Sequence, residues 1–180
     1  MNYDYICEKV AQIKQKYVTK DLDQLCEAMN VLLLNQETPL SIEQFKGLFL
    51  VSSRIKVIVL NSKLSPVYRR VVLSHEIGHS VLHDHLASAR PFQDFDLFGM
   101  KDQCEFEANV FAAELLLKDS EVLSVLNDDT TFFSAAQSLN VPQELLDFKF
   151  RIMKHKGYSI MPQYVANADF LKQMRGDEHE

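Results

Sequence analysis

The stretch that decides the fold is SPVYRRVVLSHEIGHSVLH, Ser65 to His83. Ser65 is a good N-cap, and Pro66 suits the first helical position, where no backbone N–H is needed. A helix is therefore predicted from Pro66 to about His83. On such a helix His75 and His79 stand four residues apart and project from one face. That separation suits two nitrogen donors to one tetrahedral Zn²⁺. Glu76 lies about 100° round from His75 and roughly 60° from His79, so it flanks an ion there without being aimed at it. From that place its carboxylate can take a proton from a water that the ion acidifies. His75-Glu76-Ile77-Gly78-His79 is the H-E-x-x-H pattern of zinc hydrolases.

Before this helix, Gly47 to Val51 and Ile55 to Leu60 are β-branched and aromatic runs separated by Ser52-Ser53-Arg54, which predicts a β-hairpin. Earlier still, Ile6, Val10, Ile13 and Tyr17 recur at helical spacing across Tyr3 to Tyr17. A second helix is expected to start at the N-cap Asp21 and to carry Leu22, Leu25, Cys26 and Met29, with Val31 to Leu34 extended and a break at Glu37 to Pro39. After the central helix, Leu86 to Asp102 has no clean period and is expected to be a loop. Gln103 to Lys118 predicts a strong helix, apolar almost all round. Shorter helices are expected in Ser120 to Lys154, a last strand at Tyr158 to Met161, and a disordered tail over 175–180. The fold class is α+β: a core over 1–118, with a helical segment over 119–174 packed on it.

A third metal donor must come from elsewhere, and three candidates are open. His85 completes H-E-x-x-H-x-x-x-x-x-H, the metzincin spacing, and Ser159 to Tyr164 faintly resembles a Met-turn. Leu82, however, stands where that pattern has glycine, and a leucine with positive φ costs roughly 1–2 kcal/mol. His83 is roughly 12 Å along the axis from His75, too far to share one ion. The other two candidates are Glu105 and Glu107, at the start of the second strong helix. Gln103, Glu114 and Lys118 fall within about 40° of Glu107, which puts it on the one polar stripe and predicts solvent exposure. Glu105 falls on the opposite side with Ala108, Asn109, Ala112 and Leu116, where a buried carboxylate needs a partner and a metal is a good one. Glu105 is favoured, with Asn109 one turn later placed to hydrogen-bond a ligating histidine.

Composition sets the frame around the site. The chain has 180 residues, 47% of them apolar, enough for one buried core and too hydrophobic for a disordered chain. Lys+Arg 19 against Asp+Glu 25 gives a net charge of −6, which argues against nucleic acid or an anionic membrane as the main partner. Ala135 to Leu145 resembles the first half of a helix-turn-helix, but no basic patch follows it, so no direct nucleic-acid binding is expected. The N-terminus lacks an apolar h-region, and no apolar run is long enough to span a bilayer. Cys7, Cys26 and Cys104 are an odd set without a CxxC pair, expected to be reduced buried thiols in a cytoplasmic protein.

The segments IKVIVLNSKLS, YRRVVLSHEIGHSVLH and CEFEANVFAAELLL together resemble the ImmA/IrrE family of metallo-endopeptidases, and SLNVPQELLDFKFRIMKHKGY does so more loosely. Where family members often carry Met-Pro after the apolar run, this chain has Leu117-Lys118. The resemblance implies a zincin-like, gluzincin-type domain with a small mixed sheet or hairpin and a helical C-terminal segment. It implies His75, His79 and Glu105 as zinc ligands, Asn109 behind them and Glu76 as catalytic base. It also implies a helix-turn-helix repressor as substrate, in the control of a prophage, mobile element or stress regulon. A non-catalytic, zinc-stabilised anti-repressor that sequesters the same partner is the competing expectation. A partner of that kind is usually basic, which fits an acidic chain. On physical grounds, an extended peptide could pair with Ile55 to Leu60 if that strand lies at a sheet edge.

Overall fold

The computed structural model describes residues 2–37, 45–87, 92–94, 103–127 and 130–160. The chain divides into two compact units, Met1–Leu117 and Lys118–Glu180.

In the first unit, helix α1 (Tyr3–Lys16) is capped by Asn2, whose side chain accepts from the Tyr5 N–H at 3.1 Å, and buries Ile6, Val10 and Ile13. Helix α2 (Leu22–Ala28) is capped by Asp21, which accepts from the N–H groups of Asp23 and Gln24. Asn30, at φ 55, turns the chain into strand β1 (Val31–Gln36). Strands β2 (Gly47–Ser52) and β3 (Ile55–Asn61) form the expected hairpin. Its loop is tighter than the three residues predicted: Ser53 and Arg54 alone make the turn, both at positive φ, as the right-handed strand twist favours.

The sheet order is β1-β3-β2-β4, with β3 parallel to β1 and antiparallel to β2. Strand β3 is thus paired on both sides and offers no free edge to a peptide, contrary to the edge-strand expectation for Ile55 to Leu60. The stretch expected to be a loop carries the end of a short helix, α4 (Asp84–Ala87), and a three-residue strand, β4 (Phe92–Asp94), antiparallel to β2. Three residues are too few to show a period, so only pairing in the sheet reveals the strand.

Phe49 and Ile58 are register partners, as are Gly47 and Leu60, and all four are buried on the face that meets helix α3 (Pro66–Leu82). From Val71 to Ser80 every residue of α3 is buried. Helix α5 (Gln103–Leu116) packs along it, and Gly78 lies in the contact. A Cβ at Gly78 would lie 3.2 Å from the Ala108 Cα and 3.2 Å from the Phe111 Cβ, so the glycine is the notch that lets α5 in. At the far end of α3, Lys56 of β3 donates to the Ser80 carbonyl at 2.7 Å and pairs with Asp84 at 2.9 Å, anchoring the helix to the sheet. That contact holds the Asp84 carboxyl below its usual range.

In the second unit, α6 (Asp119–Val125), α7 (Phe132–Ser138) and α8 (Gln143–His155) follow one another. Thr131 and Ser134 form a capping box at the start of α7. Phe132 meets Phe150 edge-on, with centroids 5.8 Å apart. Asn140, at φ 52, turns α7 into α8, and the two helices pack on one another. Lys149 is 1% exposed, and its ammonium lies 2.6 Å from Asp119. Gly157, at φ +91, closes α8 with a bond from the Tyr158 N–H back to the Met153 carbonyl. That cap occupies the residue where the last strand was expected, and Tyr158 to Ile160 pair with no strand among the described residues. The remainder of that strand, most of the Met-turn-like segment and the tail over 175–180 lie outside the described residues.

Cys26 is buried, whereas Cys7 and Cys104 are half-buried rather than fully buried as expected, and none of the three forms a disulfide among the described residues. Burial, with Asp23 adding to it and Arg69 opposing, pushes the Cys26 thiol up to about 12, so it is inert. Among the described residues, no helix is long and apolar enough to cross a membrane.

Candidate metal centre

Three side chains from two helices converge at the centre of the first unit. The His75 and His79 Nε2 atoms lie 3.0 Å apart, as their i, i+4 spacing on α3 dictates. From the first turn of α5, Glu105 brings one carboxylate oxygen to 3.2 Å from the His75 Nε2 and the other to 3.5 Å from the His79 Nε2. Donor atoms of all three lie within 4.8 Å of one another. Tetrahedral ligands at about 2.0–2.1 Å from a zinc ion stand about 3.3 Å apart. The separations of 3.0, 3.2 and 3.5 Å bracket that spacing.

Hydrogen bonds behind the histidines set which nitrogen faces the cluster. The Nδ1–H of His75 donates to Asn109 Oδ1 at 2.9 Å, because that oxygen can only accept. The Nε2 lone pair of His75 is then left to point at Glu105 and His79. The Nδ1 of His79 lies 3.0 Å from the Nδ1 of His83, whose Nε2 lies 3.1 Å from Glu107. Glu107 accepts at its other oxygen from the Gln103 amide at 2.8 Å. A carboxylate at the end accepts from the His83 Nε2–H, so His83 presents a lone pair to the Nδ1–H of His79. Both Nε2 lone pairs therefore face the Glu105 carboxylate across one small space.

Charge agrees with this direction of bonding. Burial lowers His79 to about 4, against the opposing pull of Glu105, so its ring is neutral at neutral pH. Burial pushes the Glu105 carboxyl upward, but the His75 and His79 rings beside it outweigh burial and hold the group well below the usual carboxylate range, so it is anionic. Two neutral nitrogens and one anionic oxygen facing inward repel one another unless a cation lies between them. The donor set fits a borderline-soft divalent ion.

The other candidates sit elsewhere. Glu107 does not join the three donors; it lies on His83 with its side chain 21% exposed, rather than out in solvent as its stripe predicted. His85 has its side chain 70% exposed, 4.0 Å from Asp84. Glu76 is fully buried beneath the start of β2. His83 is the residue that spacing arguments passed over: too far to share an ion with His75, it is four residues from His79 and braces it from behind. The signal was present in the sequence, as His75, His79 and His83 repeat at i, i+4 and i+8 on one face.

Residues 26–151 match the IrrE N-terminal-like domain. The chain is 34% identical over 148 residues to an uncharacterized immunity region protein 2 of Bacillus phage phi105, covering 82% of this chain and 90% of that protein. It is also 23% identical over 150 residues to Metallopeptidase ImmA of Bacillus subtilis (strain 168), covering 80% of this chain and 83% of that protein. The matched span contains both α3 and α5, and so every donor of the cluster. A match over most of the chain, with a phage relative above 30% identity, shows that this protein belongs to the ImmA/IrrE family.

Proposed function

We propose that the protein is a zinc-dependent endopeptidase with a zincin-like, gluzincin-type core, acting in the cytoplasm. Its substrate would be a helix-turn-helix repressor that controls a prophage, mobile element or stress regulon. The observation that carries this reading is the convergence of His75, His79 and Glu105 beside Glu76. His75, His79 and Glu105 would hold the ion, and Asn109 and His83 would fix the two rings. When bound, zinc supplies Lewis-acid polarisation of a carbonyl and acidifies water. Glu76 takes a proton from the attacking water and delivers it to the leaving amine. The names of the relatives, one an immunity region protein and one a metallopeptidase, support this assignment.

One observation favours the competing reading, a zinc-stabilised anti-repressor that only sequesters its partner: His75 and Glu76 are both 0% exposed. The two readings separate in one experiment. The protein is incubated with a purified helix-turn-helix repressor of the kind proposed, with and without chelator. Fragments that vanish with chelator are expected; a stoichiometric complex with no fragments would select sequestration.

The brace behind His79 gives a second expectation. His83→Phe keeps the bulk of the ring but removes the acceptor for the His79 Nδ1–H. Metal affinity is expected to fall about 10- to 100-fold. Titration against a competing zinc chelator measures it, and an unchanged affinity would leave His83 a packing residue only.

A further inference from the structure

Strand β2 opens with a buried glycine lying directly against Glu76. A Cβ at Gly47 would stand 2.7 Å from Glu76 Oε1, 2.7 Å from Val72 Cγ1 and 3.2 Å from Glu76 Cγ. Real Cβ atoms essentially never come that close, so the space beside the carboxylate exists only because position 47 has no side chain. Backbone conformation does not call for glycine here, since Gly47 is not among the positive-φ residues. Glycine weakens a strand interior and often marks a close approach. The register is also fixed: Gly47 is opposite Leu60 on β3 and Asp94 on β4, which leaves β2 no room to slide away.

We infer that Gly47 is a positioning residue for Glu76: its bare Cα forms the wall that holds the carboxylate in place on the histidine-bearing helix. The atoms a methyl group would meet are side-chain atoms of Glu76 and Val72, not backbone. The fold can therefore absorb alanine, but only by turning Val72 and displacing the carboxylate. The catalytic meaning of that displacement rests on the reading of Glu76 as proton carrier. The steric coupling between Gly47 and Glu76 does not.

The test is a double-mutant cycle of Gly47→Ala and Glu76→Ala, read in two ways. In urea unfolding, Gly47→Ala is expected to lower stability in the Glu76 background and to cost clearly less in the Glu76→Ala background, where the carboxylate is gone. Equal costs in both backgrounds would overturn the inference. If Gly47→Ala alone does not fold, recovery of folding in the double variant reads the same coupling, and no recovery overturns it. The second reading uses cleavage of the same purified helix-turn-helix repressor. Gly47→Ala is expected to keep zinc near one per chain and KM within about twofold, while kcat falls about 10- to 100-fold, as for a small misplacement of a reacting group. An unchanged kcat would overturn the positioning role. Should the wild type cleave nothing, the proposed activity fails, while the unfolding cycle still decides whether Gly47 makes room for Glu76.

Discussion

Glu76→Gln is expected to reduce repressor cleavage by at least about 10³-fold, near the upper range for loss of a general base, while zinc stays close to one per chain. The substitution keeps shape and volume, so the fit under Gly47 is preserved. It leaves His75, His79 and Glu105, the donors that would hold the ion, untouched. What it removes is the ability to accept a proton and hand it on. Gel analysis of fragments, with metal content measured on the same sample, separates the outcomes. Wild-type cleavage by the variant would exclude Glu76 as the proton carrier. Loss of metal together with activity would assign it a structural role instead.

The second large effect lies in the other unit. Lys149 of α8 is 1% exposed, and the Asp119 carboxylate faces it at 2.6 Å, with Lys156 on its second oxygen at 3.0 Å. Asp119→Ala removes the anion from beside a buried ammonium and is expected to cost about 3–5 kcal/mol in urea unfolding. Pairing it with Lys149→Met should restore most of that loss, because a buried ion pair exchanged for packed apolar groups is often close to neutral. If the double variant were as unstable as the single one, the ammonium would not be the cause. Acid sensitivity follows the same contact. Burial pushes the Asp119 carboxyl up, but hydrogen bonds from Lys149 and Lys156 outweigh it and lower its pKa. A carboxyl lowered in the folded state stabilises above its unfolded value of about 3.9, and the benefit disappears as pH falls through the folded value. Stability should therefore decline below about pH 4, and Asp119→Ala should flatten that part of the profile.

Local chemistry was legible in the sequence wherever one segment carried the whole signal. Ser65-Pro66 marks the start of α3, and the β-branched and aromatic runs Gly47 to Val51 and Ile55 to Leu60 mark the hairpin. Helical angles on α5 separate Glu105 from Glu107, because one face of that helix is lined by small residues and must be buried. What remained hidden depends on pairing between distant segments. The interior place of β3 follows from a parallel pairing with β1, which no local period encodes. Strand β4 is too short to show a pattern at all. The partnership of His83 and Glu107 spans two helices and needs their actual spacing. The wall that Gly47 forms against Glu76 is likewise a contact between strand and helix, invisible to spacing along either one.

Two of the converging donors come from α3 and the third from α5, and this gives a bound metal a role beyond chemistry. An ion held there is a crosslink between two helices, closing the chain between His79 and Glu105 into a loop. Such a closure restricts the unfolded chain far more than the folded one, which already holds the helices together at Gly78. Metal supply would then govern how long the folded protein persists as well as how fast it works, so that a cell poor in zinc loses the protein itself.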